Sequence, residues 1–343
     1  MRKVLQAISL LAASLSLAFG VQQGYLWATK VDLPTKAEPV RFYSAQKRQD
    51  LRETFVKAIE GADRSVTLVI FSMRDAAVIR ALNQKAGAGV DVRVVYDSGS
   101  AANLDRALSP KIKKVRRNPR GISHQKILIV DGERVFAGSA NMTTASLKYW
   151  GNLVNGFWSP ELAEWLGKRI GRMAAFNAMT GEARAFDVGG QKLDFWLLPN
   201  PDQGPEKIKE LIRAAEKTLR IAMFTWTRED FADEVIDAYH RGVDVEVVID
   251  KQSGRGASRN IVKKLAESGV PLYAGRGEEL LHFKMMIIDD KILVNGSANW
   301  TKSAFYRNDD CFFILRPLTE KQKKYLKALW DVVISEAYSE VKV

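Results

Sequence analysis

Cysteine is almost missing from this 343-residue chain: Cys311 stands alone. A single thiol excludes an internal disulfide framework and any cysteine-rich metal site. Histidine is nearly as scarce, with three in all, and no His/Cys spacing suits zinc. No low-complexity tract appears, and an apolar fraction of 46% is that of a globular chain. Acidic residues fall short of basic ones, 40 against 52, which leaves a net charge of +12. That imbalance favours anionic partners such as nucleic acid, an acidic phospholipid surface or phosphate esters. Long apolar runs are absent except at the start, where Val4 to Phe19 carries no charge and follows Arg2 and Lys3. Small residues at Ser16, Ala18 and Gly20 suit a signal peptidase. The expectation is a secretory signal over residues 1–20 and an exported protein, periplasmic or secreted, with an uncleaved anchor as the alternative.

What the chain does have, it has twice. "HQKILIVDGERVFAGSAN" from His124 is matched by "HFKMMIIDDKILVNGSAN" from His282. His124, Lys126, Asp131, Gly138, Ser139 and Asn141 fall on His282, Lys284, Asp289, Gly296, Ser297 and Asn299. Upstream, "RSVTLVIF" and "GVDVRVVYD" return as "KTLRIAMF" and "GVDVEVVID" in the same order. A repeat of domain length means duplicated domains, not a solenoid. Each half reads as an amphipathic helix (Leu51, Phe55, Ala58, Ile59; Ile208, Leu211, Ile212, Ala215), a strand, a helix and a second strand ending at Asp97 or Asp250. The motif follows as strand, turn, strand, and a helix closes the half. Strands alternating with helices give an α/β class with mixed sheets. The Gly-Gly pair and prolines between Phe186 and Pro205 suggest a linker at 186–205. The domains are then 38–185 and 206–343.

On an extended strand, His124 and Lys126 face the same way, as do His282 and Lys284. One such pair reads as an exposed edge. Two, each followed by Asp and Gly-Ser-x-Asn at the same offset, read as a site for an anion. Lysines supply point charges to phosphate oxygens, and Ser139, Asn141, Ser297 and Asn299 supply directional donors. One imidazole can attack phosphorus and the other can protonate the leaving oxygen. The lysines perform the electrostatic task, so no metal or other cofactor is required.

These residues resemble the phospholipase D superfamily, whose signature is His-x-Lys-x4-Asp followed by Gly-Ser-x-Asn, twice per site. The resemblance spans roughly residues 40 to 340 and implies two similar α/β/α domains related by a pseudo-twofold, with one active site at their interface. It also implies a phosphohistidine intermediate, with His124 as nucleophile and His282 as general acid and base. Asp131 and Asp289 then have a mainly structural role. Members often place an acidic residue after Gly-Ser-x-Asn to hold the histidine's second nitrogen. Asp310 fits that place in the second half, while the same offset in the first half gives Asn152. The expectation is that Asp310 serves His282, which becomes the more easily protonated of the two.

The substrate is open at this stage. "KIKKVRRNPRGISH" brings Lys111, Lys113, Lys114, Arg116, Arg117 and Arg120 toward the first motif, whereas the second lead-in carries Arg276 with Glu267, Glu278 and Glu279. The run reads as a rail for nucleic acid or an anionic membrane surface, or simply as a solvated strand edge. Compact halves favour a nuclease and export favours phospholipids; by compartment the expectation is hydrolysis of phospholipids of the phospholipase D type, with an exported metal-independent nuclease as the alternative. Phe71, Trp150, Trp226 and Trp300 are candidates to stack on bases or line a headgroup pocket, though packing is the commoner use. A module that binds phosphate without cutting it would not need the histidines. His240, at a helix end, reads as a cap or exposed residue. The internal duplication removes the need for a dimer, so a monomer is expected.

Overall fold

The computed structural model describes residues 31–101, 103–275 and 279–338. The segment read as a signal or anchor lies outside them, as do Arg276 and Glu278. Among the described residues no helix is long and apolar enough to cross a membrane.

The first half contains β1 (Val40–Tyr43), α1 (Leu51–Glu60), β2 (Ser65–Ile70), α2 (Ala76–Gly87), β3 (Asp91–Asp97), a short α3 (Leu104–Ala107), β4 (Lys113–Arg117), β5 (Ile127–Val130), β6 (Arg134–Gly138), α4 (Thr144–Lys148), β7 (Val154–Trp158) and α5 (Pro160–Gly171). The second contains β8 (Glu182–Val188), β9 (Gln191–Leu197), α6 (Gln203–Arg213), β10 (Thr218–Met223), α7 (Glu229–His240), β11 (Asp244–Ile249), α8 (Lys251–Arg255), α9 (Arg259–Glu267), β12 (Leu272–Gly275), β13 (Lys284–Ile288), β14 (Ile292–Gly296), α10 (Lys302–Tyr306), β15 (Cys311–Arg316), α11 (Glu320–Ser335) and β16 (Ala337–Tyr338).

The helices begin where the sequence supplies caps. Asp50 accepts from the Glu53 amide, Ser159 from Leu162 with Pro160 in the first turn, and Thr319 forms a capping box with Gln322. In α1 the predicted stripe is the buried one: Leu51, Phe55, Ala58 and Ile59.

The strands form a seven-stranded sheet, β1-β7-β6-β5-β2-β3-β4, and a nine-stranded one, β16-β12-β11-β10-β13-β14-β15-β9-β8. The order β4-β3-β2-β5-β6-β7 in one is β12-β11-β10-β13-β14-β15 in the other, so the repeat in sequence is a repeat in topology. Within each, β2/β3/β4 and β10/β11/β12 run parallel through crossovers, and the motif hairpins join antiparallel. This is the expected α/β architecture with mixed sheets.

A buried cluster is shared by the halves. Val69, Ile127, Val135 and Phe157 from one sheet, and Phe283, Met285, Leu293 and Phe313 from the other, belong to it with Trp165 of α5 and Trp330 of α11. Burial of this apolar surface fixes one half against the other.

The expected linker at 186–205 is corrected. Its first part is the β8–β9 hairpin, with Gly189 and Gly190 at φ 62° and 77° in the turn. Paired left-handed glycines are the signature of a tight hairpin, not of a hinge. The alternation in "QKLDFWL", buried at every second residue, gives β9 its inner face.

Candidate active site

His124 is not on a strand, as expected from the sequence, but on the extended segment that leads into β5. Its backbone is held by the opposite half. The His124 and Gln125 amides donate to the Asp309 carbonyl at 2.8 and 3.0 Å, and the Asp309 amide donates to Ile122 O at 3.0 Å. On the other side of the pseudo-twofold, the Gly151 amide donates to Leu280 O at 2.9 Å. A Cβ on Gly151 would stand 2.6 Å from the Phe283 ring, so glycine permits this approach. Asp97 and Asp250, at the ends of β3 and β11, accept from the Ser123 and Leu281 amides at 2.9 and 3.1 Å. Each repeat thus anchors the residue before its histidine with a strand-end carboxylate, a role not foreseen for these residues.

The orienting groups cross over. His124 Nδ1 lies 2.9 Å from Asp310 Oδ1, and His282 Nδ1 lies 3.0 Å from Asn152 Oδ1. Asp310 therefore serves His124, not His282, and the expected assignment is reversed. The reason is tertiary: the segments carrying Asn152 and Asp310 each cross the interface. Asn152 Nδ2 donates to Ser146 O at 2.9 Å, which turns Oδ1 toward His282 and requires His282 Nδ1 to carry its proton. In both rings Nε2 is the nitrogen left for substrate.

Ser139 and Ser297, expected at the substrate phosphate, are committed elsewhere. Ser139 Oγ donates to Asn152 Oδ1 at 2.8 Å, and Ser297 Oγ donates to Asp310 Oδ1 at 2.6 Å. Both are fully buried, so they fix the orienters. Gly138 and Gly296 precede them because a Cβ would lie 2.2 Å from Leu153 O or 2.4 Å from Cys311 O on the neighbouring strand. Asn141 and Asn299 fit the expected role better. Each has a buried amide oxygen without a partner, the mark of a group that awaits a ligand, and a half-turn of the amide presents NH2 to a phosphate.

Lys126 Nζ donates to His124 O at 2.6 Å, and Lys284 Nζ to His282 O at 2.9 Å. The phenyl rings at the ends of the matching upstream strands complete the pattern. Phe71 packs 5.0 Å from the His124 ring and Phe224 4.9 Å from the His282 ring. Lys126 and Lys284 lie over the same two rings, at 5.1 and 5.0 Å. Trp150 adds a tilted contact to His282 at 5.5 Å. Trp226 and Trp300 instead meet each other at 4.5 Å inside the second core, and are packing residues.

The site resists positive charge. Burial, then the neighbouring lysine, lowers the pKa of both histidines, and His282 falls well below the usual range. Asp310 partly offsets this at His124 alone. Burial pushes Lys126 down to about 7 and Lys284 well below the ordinary lysine range. Burial by itself would raise Asp310, but the His124 contacts and Lys126 outweigh it and hold the carboxylate ionised. A buried cluster of depressed bases is relieved by an anion.

Asp131 and Asp289 stand apart. Each begins the hairpin turn at the far end of its motif strand, at φ 55° and 53°. Asp131 accepts from the amides of Asp63, Arg64 and Ser65, and Asp289 from those of Glu216, Lys217 and Thr218. They tie the motif hairpin to the start of the adjacent strand and do not reach the histidines.

The basic run is divided. Lys113 pairs with Asp91 at 2.8 Å. Arg117 is fully buried and forms a 2.7 Å ion pair across the interface with Asp309. Lys111, Arg116 and Arg120 remain exposed. His240 is the exposed last residue of α7. Among the described residues no group of three His, Cys, Asp or Glu is placed to hold a metal ion.

Comparison with known proteins agrees with this arrangement. A family model described as "Cardiolipin synthase, PLD-like domain" matches residues 55–174 and 208–330. Mitochondrial cardiolipin hydrolase of Chlamydomonas reinhardtii is 29% identical over 126 residues, covering 36% of this chain and 56% of that protein. Cardiolipin synthase 2 of Bacillus cereus is 26% identical over 310 residues, covering 75% of this chain and 58% of that protein. The chain thus spans little more than half the length of these curated relatives. Phosphatidylserine synthase of Haemophilus influenzae Rd KW20 shares the fold, with a TM-score of 0.70 at 13% identity over 93% of this chain and 91% of that one. With both repeats matched and both His-x-Lys pairs brought to one interface, the chain belongs to the PLD-like (phospholipase D-like) family that this model describes.

Proposed function

We propose that the protein is a phosphodiesterase of the phospholipase D type, which hydrolyses a phospholipid to phosphatidate and its headgroup through a phosphohistidine on His124. The observation that carries the assignment is the crossed orienters: only His124 has a carboxylate on its Nδ1 side. A phosphorylated imidazole that keeps its Nδ1 proton is cationic, and a carboxylate at that nitrogen stabilises it. The amide at His282 cannot.

In this reading His124 Nε2 attacks phosphorus, and the bond from phosphorus to the headgroup oxygen breaks. His282 gives its Nε2 proton to that oxygen. Water then loses a proton to the same nitrogen and attacks phosphorus, and the bond to His124 breaks. Lys126, Lys284, Asn141 and Asn299 hold the equatorial oxygens. Burial and Lys284 disfavour the charged form of His282, so the substrate's negative charge draws in the proton that His282 later donates. Relatives named for cardiolipin hydrolysis and cardiolipin synthesis support the phospholipid substrate. We place the enzyme outside the cytoplasm on its N-terminal sequence.

A nuclease would use the same chemistry, with Lys111, Arg116 and Arg120 as its exposed track. The test is hydrolysis in excess chelator of cardiolipin and phosphatidylcholine vesicles beside single- and double-stranded DNA, with His124→Ala as blank. Headgroup or phosphatidate release that the variant lacks is expected. DNA cleavage alone would overturn the phospholipid reading.

A further inference from the structure

Four large apolar side chains are exposed among the described residues: Ile122 at 39%, Tyr149 at 52%, Phe176 at 79% and Tyr306 at 39%. They come from segments far apart in sequence, yet each is joined to the active site. Ile122 lies two residues before His124, with its amide on Asn308 Oδ1 at 3.2 Å. Tyr149 follows α4 and precedes Trp150, whose indole meets His282. Tyr306 ends α10, the pseudo-twofold mate of α4. Phe176 sits in a loop fastened to the lead-in of His124: Ala174 O and Asn177 Oδ1 accept from Arg117 at 2.5 Å, and Ala175 O accepts from the Asn118 amide at 2.7 Å.

Cations accompany them. Arg120, Lys148 and Arg307 are exposed neighbours of Ile122, Tyr149 and Tyr306. None of the three pairs with a carboxylate among the described residues. Exposed Glu279 lies three residues before His282, and beside Tyr306 the carboxylate of Asp230 is neutralised by Arg228, whose guanidinium lies 5.8 Å from the Tyr306 ring. Apolar side chains interspersed with free cations suit the boundary between anionic headgroups and acyl chains. A phosphate backbone would reward the cations but not Ile122, which has no ring to stack on a base.

From this we infer that the rim of the active site docks on an anionic lipid bilayer, inserting Tyr149, Phe176, Ile122 and Tyr306 while Arg120, Lys148 and Arg307 meet headgroups. The inference rests on the phospholipid reading above and adds the surface by which the substrate is reached. The net charge of +12 draws the protein to such a surface from a distance.

Two measurements on the full chain test it. Phe176→Cys carries an environment-sensitive dye; Cys311 is buried, so labelling is selective. The emission should move to the blue on vesicles containing cardiolipin and stay unchanged with phosphatidylcholine vesicles and with single-stranded DNA. No shift on cardiolipin, or a shift on DNA in its place, overturns the inference. In the second measurement, Tyr149→Ser with Phe176→Ser should slow hydrolysis of cardiolipin vesicles by about ten-fold, as two lost interfacial anchors imply. Its rate on a monomeric diester, bis(4-nitrophenyl) phosphate, should not change. Equal loss on both substrates, or none on vesicles, also overturns it. The dye reads docking without turnover, so the two proposals fail separately. A blue shift with no lipid cleavage removes the proposed substrate and keeps the docking surface. Lipid cleavage with no shift does the reverse.

Discussion

Replacing Asp310 by asparagine removes one charge and nearly preserves shape, and the protein already contains the product of that change. Asn152 occupies the matching position in the other half, with Oδ1 toward His282 and Nδ2 on Ser146 O. Asn at 310 can keep its Oδ1 on the two groups that Asp310 Oδ1 now meets, His124 Nδ1 and Ser297 Oγ. The fold and the His124 tautomer should therefore survive. What goes is the negative charge beneath the phosphohistidine. Unit charges about 4 Å apart at an effective dielectric of roughly 20 attract by about 4 kcal/mol. Loss of that attraction in the transition state slows phosphorylation by about a thousand-fold. A comparable exchange in a serine protease triad costs about ten thousand-fold, because the tautomer there also goes wrong. Rapid mixing with radiolabelled phospholipid, an alkaline quench and peptide mapping give both the rate and the labelled residue. The paired variant Asn152→Asp with Asp310→Asn moves the carboxylate under His282. It should recover part of the rate and shift label to His282. Asp310→Asn within about five-fold of the parent rate, or label on His282 in the parent, would refute the argument.

Other perturbations follow from the same geometry. Arg117→Met leaves Asp309 buried and unpaired across the interface, so unfolding free energy should fall by about 3–5 kcal/mol, read from urea midpoints. Asp131→Ala strips an acceptor from the amides of Asp63, Arg64 and Ser65; about 2–4 kcal/mol of stability should go, while kcat per folded molecule stays within about two-fold. The unliganded protein should become more stable as pH rises from about 7 to 8.5. Lys126, pushed down to about 7, binds fewer protons folded than unfolded over that range, and stability rises wherever the unfolded chain binds more. At higher pH the buried Cys311 thiol, pushed up to about 11, acts in the opposite sense. Denaturant midpoints across pH check the slope, and millimolar inorganic phosphate should flatten it.

Much of this protein could be read from the chain alone, for a physical reason: it states its pattern twice. The α/β class, the two halves and the pairs His124/Lys126 and His282/Lys284 follow from local periodicity and from matching spacings, which survive translation from one dimension to three. Even Gly189-Gly190 carried a local signal, a hairpin between alternating strands, although proline and glycine content suggested a linker. Decisions across the interface had no such signal. That Asp310 orients His124 while Asn152 orients His282, and that Arg117 leaves a basic run to pair with Asp309, depends on which segments the shared core brings together. Ser139 and Ser297 look like phosphate ligands in sequence because hydroxyls bind phosphate. They hold the orienters because strand packing at Gly138 and Gly296 places their Oγ atoms there. Side-chain type sets what a group can do, and the packing of one half on the other sets which partner it meets.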